Sequence, residues 1–130
     1  MTPLSTFNPT DVDALFDRLA SEVTGEAKKW WTKNKGLMAG YLRSLAEASM
    51  QTTIALQQKE ITEAQANRAF RVQKLAFEQT LDFSKLMTLV LAQRLLDAVF
   101  RVIGWVILNR TGINLAPHLV KPDAPTVSGS

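Results

Sequence analysis

The side chains that most often carry out chemistry in proteins are scarce in this sequence. Its 130 residues include a single histidine, His118, and no cysteine. A Ser–His–Asp triad, a multi-histidine metal site and a thiolate site are therefore not expected, and His118 is interpreted as a solvated residue of a Pro-containing tail. Four glutamates could in principle form a di-metal site in a helical bundle, but the Glu-x-x-His motif of such sites is absent. They are Glu47, Glu60, Glu63 and Glu78. We expect a protein that is not an enzyme and binds no cofactor or metal.

Cations and large aromatic rings are concentrated in residues 28–35. This lysine–tryptophan cluster consists of Lys28, Lys29, Trp30, Trp31, Lys33 and Lys35. At a bilayer surface, indole rings lie among the headgroups and lysines meet anionic phosphates. On a nucleic acid, the same residues would stack on bases and neutralise phosphates. A third interpretation is ordinary packing, because adjacent tryptophans point about 100° apart on a helix and at least one then faces a core.

A second candidate region is the apolar stretch of residues 86–108, which is interrupted by Arg94, Asp97 and Arg101. As a helix it would be about 34 Å long, close to the roughly 30 Å hydrocarbon core of a bilayer. Three central charges cost about 8–10 kcal/mol on insertion, which cancels or exceeds what the apolar residues contribute. Pairing of Asp97 with Arg94 and Arg101 within the helix would lower that cost.

Three environments fit this apolar helix, and the sequence leaves all three open. The charged residues Arg94, Asp97 and Arg101 can face solvent in a soluble bundle, line a polar seam at a membrane, or form a buried network between subunits. Trp105 and Arg110, near the end of the stretch, resemble the anchors of a membrane segment. Because a short first helix cannot cover so apolar a helix alone, we expect a homo-oligomer.

Helical periodicity dominates the chain, and we expect an all-α fold in one domain: a short N-terminal helix, then a long helical hairpin, with an extended arm at each end. The predicted segments are an arm at 1–9, helices at 10–24, 26–60 and 62–110, and an extended tail at 111–130. Thr10 is the expected N-cap of the first helix, and Thr62 with Gln65 predicts a capping box before the last one. The last helix can also break at Asp82 or Ser84, because both residues are competent caps.

In composition the chain is similar to small internal, ejection and connector proteins of bacterial viruses, which combine Gln- and Ala-rich helices, one very apolar helix and extended arms. The resemblance implies a non-enzymatic structural protein of a virion. We therefore expect an assembly protein whose partners are copies of itself, other subunits and membrane lipid. We expect it at a membrane or in a viral particle rather than free in the cytoplasm. The alternative is a soluble helical-bundle adaptor or a nucleic-acid-binding module that uses residues 28–35.

Overall fold

Four α-helices make up most of the computed structural model, which describes residues 2–122. They follow a short 3-10 turn, Leu4–Thr6, and no strand occurs within this range. The helices are α1 (Val12–Glu26), α2 (Lys28–Gln57), α3 (Glu63–Asp82) and α4 (Leu89–Thr111). The predicted all-α fold class is thereby confirmed.

The first two helices begin and end within a few residues of their predicted bounds. The N-cap of α1 is Asp11 rather than Thr10, and its carboxylate accepts a hydrogen bond from the backbone N–H of Ala14 at 2.8 Å. A single residue, Ala27, separates α1 from α2, and its φ of −151° and ψ of 67° interrupt the helix. This break turns α2 back against α1, so that Leu15 and Leu19 of α1 lie fully buried.

The helix predicted over 62–110 is divided in two near the alternative break at Asp82 and Ser84, so the three expected helices become four. Its predicted start is confirmed, because Thr62 and Gln65 form a reciprocal capping box. The hydroxyl of Ser84 donates to the carbonyl oxygen of Leu81 at 2.6 Å and satisfies an acceptor at the end of α3. Leu86 then adopts a φ of +63°, which no right-handed helix can contain. Residues 83–88 are therefore a connection that crosses from α3 to α4.

Helix α4 is the central helix of the core, and it packs against α1, α2, α3 and the N-terminal turn. Phe100 on α4 meets Phe70 of α3 edge to face, with ring centroids 5.3 Å apart. The chain's own helices thus cover most of the apolar surface of α4 that was expected to need neighbouring subunits, but Leu89 and Val90 in its first turn stay exposed. Within residues 2–122, no helix is both long enough and apolar enough to cross a membrane.

Both predicted arms are held against the body of the protein, as far as they are described. The side-chain amide of Asn109 donates to the carbonyl oxygens of Leu4 and Phe7 at 2.8 and 2.9 Å, and so fixes the N-terminal segment on α4. After Gly112 ends α4 with a φ of 80°, residues 113–122 fold back instead of extending, and Val120 is buried. The predicted extended tail is therefore wrong for residues 113–122, because their apolar side chains pack against α4; residues 123–130 lie outside the described range.

Candidate interaction surface

Four large apolar side chains are exposed within eight consecutive positions where α3 passes into α4. Their exposed fractions are 91% for Phe83, 64% for Leu86, 86% for Leu89 and 70% for Val90. We call these four residues the apolar tip. Single exposed apolar residues are common on protein surfaces, but a concentrated group marks a surface that binds something.

The backbone of this connection is fixed by a polar side chain from α2. The amide of Asn34 pairs with the backbone of Lys85 in both directions: Nδ2 donates to the Lys85 carbonyl oxygen, and Oδ1 accepts from the Lys85 N–H, each at 3.0 Å. The same Nδ2 donates to the carbonyl oxygen of Trp30 at 2.9 Å. The indole N–H of Trp30 in turn donates to the Ser84 hydroxyl at 2.8 Å. Because Asn34 is buried, its amide forms hydrogen bonds with the connection rather than with water.

Leu86 is held in a backbone conformation that leucine disfavours. Its φ of +63° lies in the left-handed region, where the Cβ atom crowds the following carbonyl and a non-glycine residue costs roughly 1–2 kcal/mol. The side chain does not gain full burial in return, because most of it faces solvent. Strain of this kind persists only where the surroundings impose it, and here the hydrogen bonds to the neighbouring Lys85 do so.

Lysines from the start of α2 lie beside Leu86, one of the four residues of the tip. Leu86 lines one shallow depression with Lys28 and Lys29, and a second one with the same two lysines and Lys33. We call these three lysines, all of them exposed, the lysine rim. The carboxylate of Glu26, which lies in the first depression, is ion-paired with a guanidinium nitrogen of Arg94 at 3.1 Å. The surface around Leu86 is thus apolar at its centre and positively charged at its edge.

The structure separates the predicted lysine–tryptophan cluster into two faces of α2. Lys28, Lys29, Lys33 and Lys35 are exposed, as expected for anchors. Trp30 and Trp31 are instead buried, with 2% and 9% of their surface exposed, so neither ring is at an interface. The reason is that α2 packs against α1, α3 and α4 at once, and its buried face is wide enough to take two rings about 100° apart.

The predicted polar seam, Arg94, Asp97 and Arg101, lies on the face of α4 that points away from the core of the bundle. Arg94 pairs with Glu26 of α1, and Asp97 accepts a hydrogen bond from Gln93 Nε2 at 2.8 Å. Among residues 2–122, Asp97 makes no ion pair with Arg94 or Arg101, and this corrects the expected pairing within the helix. Arg101 is half-buried. Because α1 ends beside this face, Arg94 reaches a carboxylate from another helix instead of Asp97.

The two remaining predicted anchors, Trp105 and Arg110, make contacts within the folded chain. Trp105 is half-buried and packs against the core. Arg110 donates to the side-chain oxygen of Asn8 at 2.9 Å and to the carbonyl oxygen of Pro9 at 2.7 Å, and so fastens the N-terminal segment. Neither residue lies among those that line the depressions beside Leu86.

The apolar tip and the Asn34 contacts were not predicted from the sequence. The break itself was given as an alternative, because Asp82 and Ser84 are competent caps, and the end of α3 at Asp82 confirms it. The caps do not predict which side chains the break exposes, since the apolar residues beyond it continue the periodicity of one long helix. Nothing in the spacing of Asn34 indicates a contact with a segment about 50 residues away.

A second apolar feature runs along the outside of the bundle between α2 and α3. Tyr41, Leu45 and Ala48 of α2 and Val72 and Ala76 of α3 line this shallow groove. Val72 and its neighbour Leu75 are more than half exposed. We call this feature the α2–α3 groove.

No grouping of His, Asp or Glu side chains suited to a metal ion occurs in residues 2–122. Comparison with known protein families, with curated proteins and with solved structures finds no match to this chain. Its function is therefore argued from the geometry of its own surface.

Proposed function

We propose that this chain is a non-enzymatic helical protein that binds to the surface of an anionic membrane. The apolar tip enters the boundary between headgroups and acyl chains, and the lysine rim contacts the lipid phosphates. The observation that carries the proposal is the exposure of Leu86 in a strained backbone, clamped from α2 and bordered by lysines. Folding alone gives no reason to hold a leucine in that position.

The chemistry of this surface favours lipid because its two components match the two layers of a membrane surface. Each lysine near an anionic bilayer contributes about 1 kcal/mol to binding. Burying a large apolar side chain contributes about 1.5–3 kcal/mol when it leaves water completely. Proteins that bind at a membrane surface combine these two contributions.

Nucleic acid is the weaker candidate for the same surface. Binding to single strands uses exposed aromatic rings on which bases stack. Trp30 and Trp31, the rings expected to supply this platform, are buried. The lysine rim would attract a phosphate backbone and the exposed ring of Phe83 offers one stacking surface, but the leucines and the valine of the apolar tip contribute nothing to either interaction.

Vesicle sedimentation tests the proposal with variants matched in chemistry. Wild-type protein is mixed with vesicles of phosphatidylcholine alone and with vesicles that contain phosphatidylglycerol. We expect binding only to the anionic vesicles, and about a tenfold loss or more for the double variant Phe83→Ser/Leu89→Ser. The control is Ile54→Ser/Leu75→Ser, which removes two exposed apolar side chains outside both the apolar tip and the α2–α3 groove and should bind like the wild type.

The contribution of charge is tested in the same assay. Lys28→Gln/Lys29→Gln should weaken binding by roughly thirtyfold, from about 1 kcal/mol per lysine. Lys59→Gln/Lys121→Gln removes equal charge from exposed positions elsewhere and should have a much smaller effect. Absence of wild-type binding to anionic vesicles would refute the proposal. Binding to single-stranded DNA with a steep salt dependence, and not to vesicles, would favour the nucleic-acid module instead.

Self-association and a role in a viral particle remain predictions. The buried face of α4 gives no support to an oligomer, because α1, α2 and α3 cover it. The support for a homo-oligomer is the α2–α3 groove, where Val72 is exposed. Light scattering on the protein with and without mild detergent tests it: a monomer near 14.4 kDa in detergent-free buffer would contradict self-association.

A further inference from the structure

We infer that Asn34 is a positioning residue of the membrane-binding surface: it holds residues 83–88 in the conformation that presents the apolar tip. The inference rests on the proposed function and adds to it the contact that fixes the backbone of the membrane-binding surface. Its basis is the two-way pairing of the Asn34 amide with the Lys85 backbone, immediately before the strained Leu86.

The geometry of the amide explains why this position requires asparagine. Nδ2 donates to two carbonyl oxygens, those of Trp30 and Lys85, while Oδ1 accepts from the Lys85 N–H. Only a side chain with a donor and an acceptor side by side can satisfy the Lys85 N–H and C=O together. Aspartate has the same shape but, when ionised, offers acceptors only.

A segment that presents apolar side chains to a membrane benefits from a fixed backbone. An apolar loop without such constraints can turn its side chains inward or adopt many conformations, and each ordering step on binding lowers the affinity. Leu86 in the left-handed region cannot relax while the hydrogen bonds of Lys85 hold the backbone beside it. Loss of the Asn34 amide therefore releases the tip while leaving the four helices in place.

The variant Asn34→Asp tests this inference, because protonation of the new carboxyl can restore part of the contact. Burial beside two carbonyl oxygens raises the pKa of this carboxyl above the ordinary value of about 3.9. At about pH 8 the carboxylate repels the carbonyl oxygens, whereas at about pH 4.5 the protonated form can again donate to Lys85 and accept from its N–H. The matched control is Asn109→Asp, where the native amide also donates to two carbonyl oxygens but holds the N-terminal segment.

Two measurements are made at both pH values: amide hydrogen exchange of residues 83–88, and binding to phosphatidylglycerol vesicles, whose phosphodiesters stay charged throughout. For Asn34→Asp at about pH 8, we expect faster exchange in this segment and at least a tenfold loss of binding. At about pH 4.5, both should return toward the wild-type values measured at that pH. Asn109→Asp should bind like the wild type, with faster exchange confined to the N-terminal segment.

The outcomes separate this inference from the proposed function. Wild-type protein that does not bind anionic vesicles overturns both. Wild-type binding with equal binding by Asn34→Asp at about pH 8 overturns the inference alone. If Asn34→Asp unfolds as a whole, as judged by circular dichroism, Asn34→Ala replaces it, because that change removes the same three hydrogen bonds without burying a charge. Unchanged exchange of residues 83–88 and unchanged binding in the folded Asn34→Ala variant would equally contradict the inference.

Discussion

The close contact between α4 and the C-terminal segment yields the sharpest stability prediction, at Gly104. A Cβ atom at this position would lie 2.8 Å from Val120 Cγ2 and 3.2 Å from Ala116 Cβ, both on the segment that folds back over α4. Glycine is therefore required for close approach rather than for a special backbone angle. The variant Gly104→Ala replaces it with the residue that helices prefer most.

Two opposing free-energy contributions determine how much Gly104→Ala changes the stability. Alanine in a helix interior is favoured over glycine by about 1 kcal/mol. Against this, inserting a methyl group into a packed contact costs about 1–3 kcal/mol through shifted side chains and backbone. We expect a net loss of stability of up to about 2 kcal/mol, which corresponds to a fall in Tm of several degrees for a domain of this size.

Gly40→Ala is the matched control, because Gly40 also lies inside a helix but would bring its Cβ within 4 Å of nothing outside its own helix. It should gain stability by about 0.5–1 kcal/mol. Urea unfolding of both variants gives the difference, which should be about 1–3 kcal/mol, and hydrogen exchange should show faster opening of residues 113–122 in Gly104→Ala. If Gly104→Ala is as stabilising as Gly40→Ala, the packing of the C-terminal segment on α4 is refuted.

Two further predictions concern the tip and the charged face of α4. Leu86→Gly relieves the left-handed strain and should leave the unfolding free energy within about 1 kcal/mol of wild type. Phe83→Gly relieves no strain, because Phe83 has a φ of −92°, and its free energy of unfolding should fall by about 0.5–1 kcal/mol. A larger fall for Leu86→Gly than for Phe83→Gly would contradict the strain argument. Asp97→Leu should change the unfolding free energy by no more than about 1 kcal/mol, since it breaks one hydrogen bond at a partly exposed position; a loss of 3–5 kcal/mol in a denaturation titration would instead indicate a buried charge network.

Local sequence patterns were sufficient to predict the elements whose signals lie within a few residues. The capping box of Thr62 and Gln65 depends on a spacing of three residues, and the helix end predicted at residue 110 lies one residue from the observed end at Thr111. Their physical causes are contained in a single helical turn. The all-α class followed from such signals, and it is confirmed.

The partners of each helix could not be obtained from those patterns. The buried surface of α4 was recognised as needing a cover, but whether lipid, another subunit or the same chain supplies it depends on how α1, α2 and α3 pack in space. The same holds for Trp30 and Trp31, since two rings fit inside only because α2 has neighbours on several sides. The periodicity of apolar residues predicts which face of a helix is buried, but it does not identify the partner that covers that face.

The sequence by itself determined the helical class and most helix starts and ends. Only the tertiary structure decided that residues 83–88 leave the helical path, that Asn34 clamps them, and that Leu86 and Phe83 face outward. The physical reason is that the break is stabilised by contacts between residues about 50 positions apart in the chain. Local caps such as Ser84 and Thr88 allow the chain to leave the helix here, and the long-range hydrogen bonds from α2 fix the conformation that it adopts.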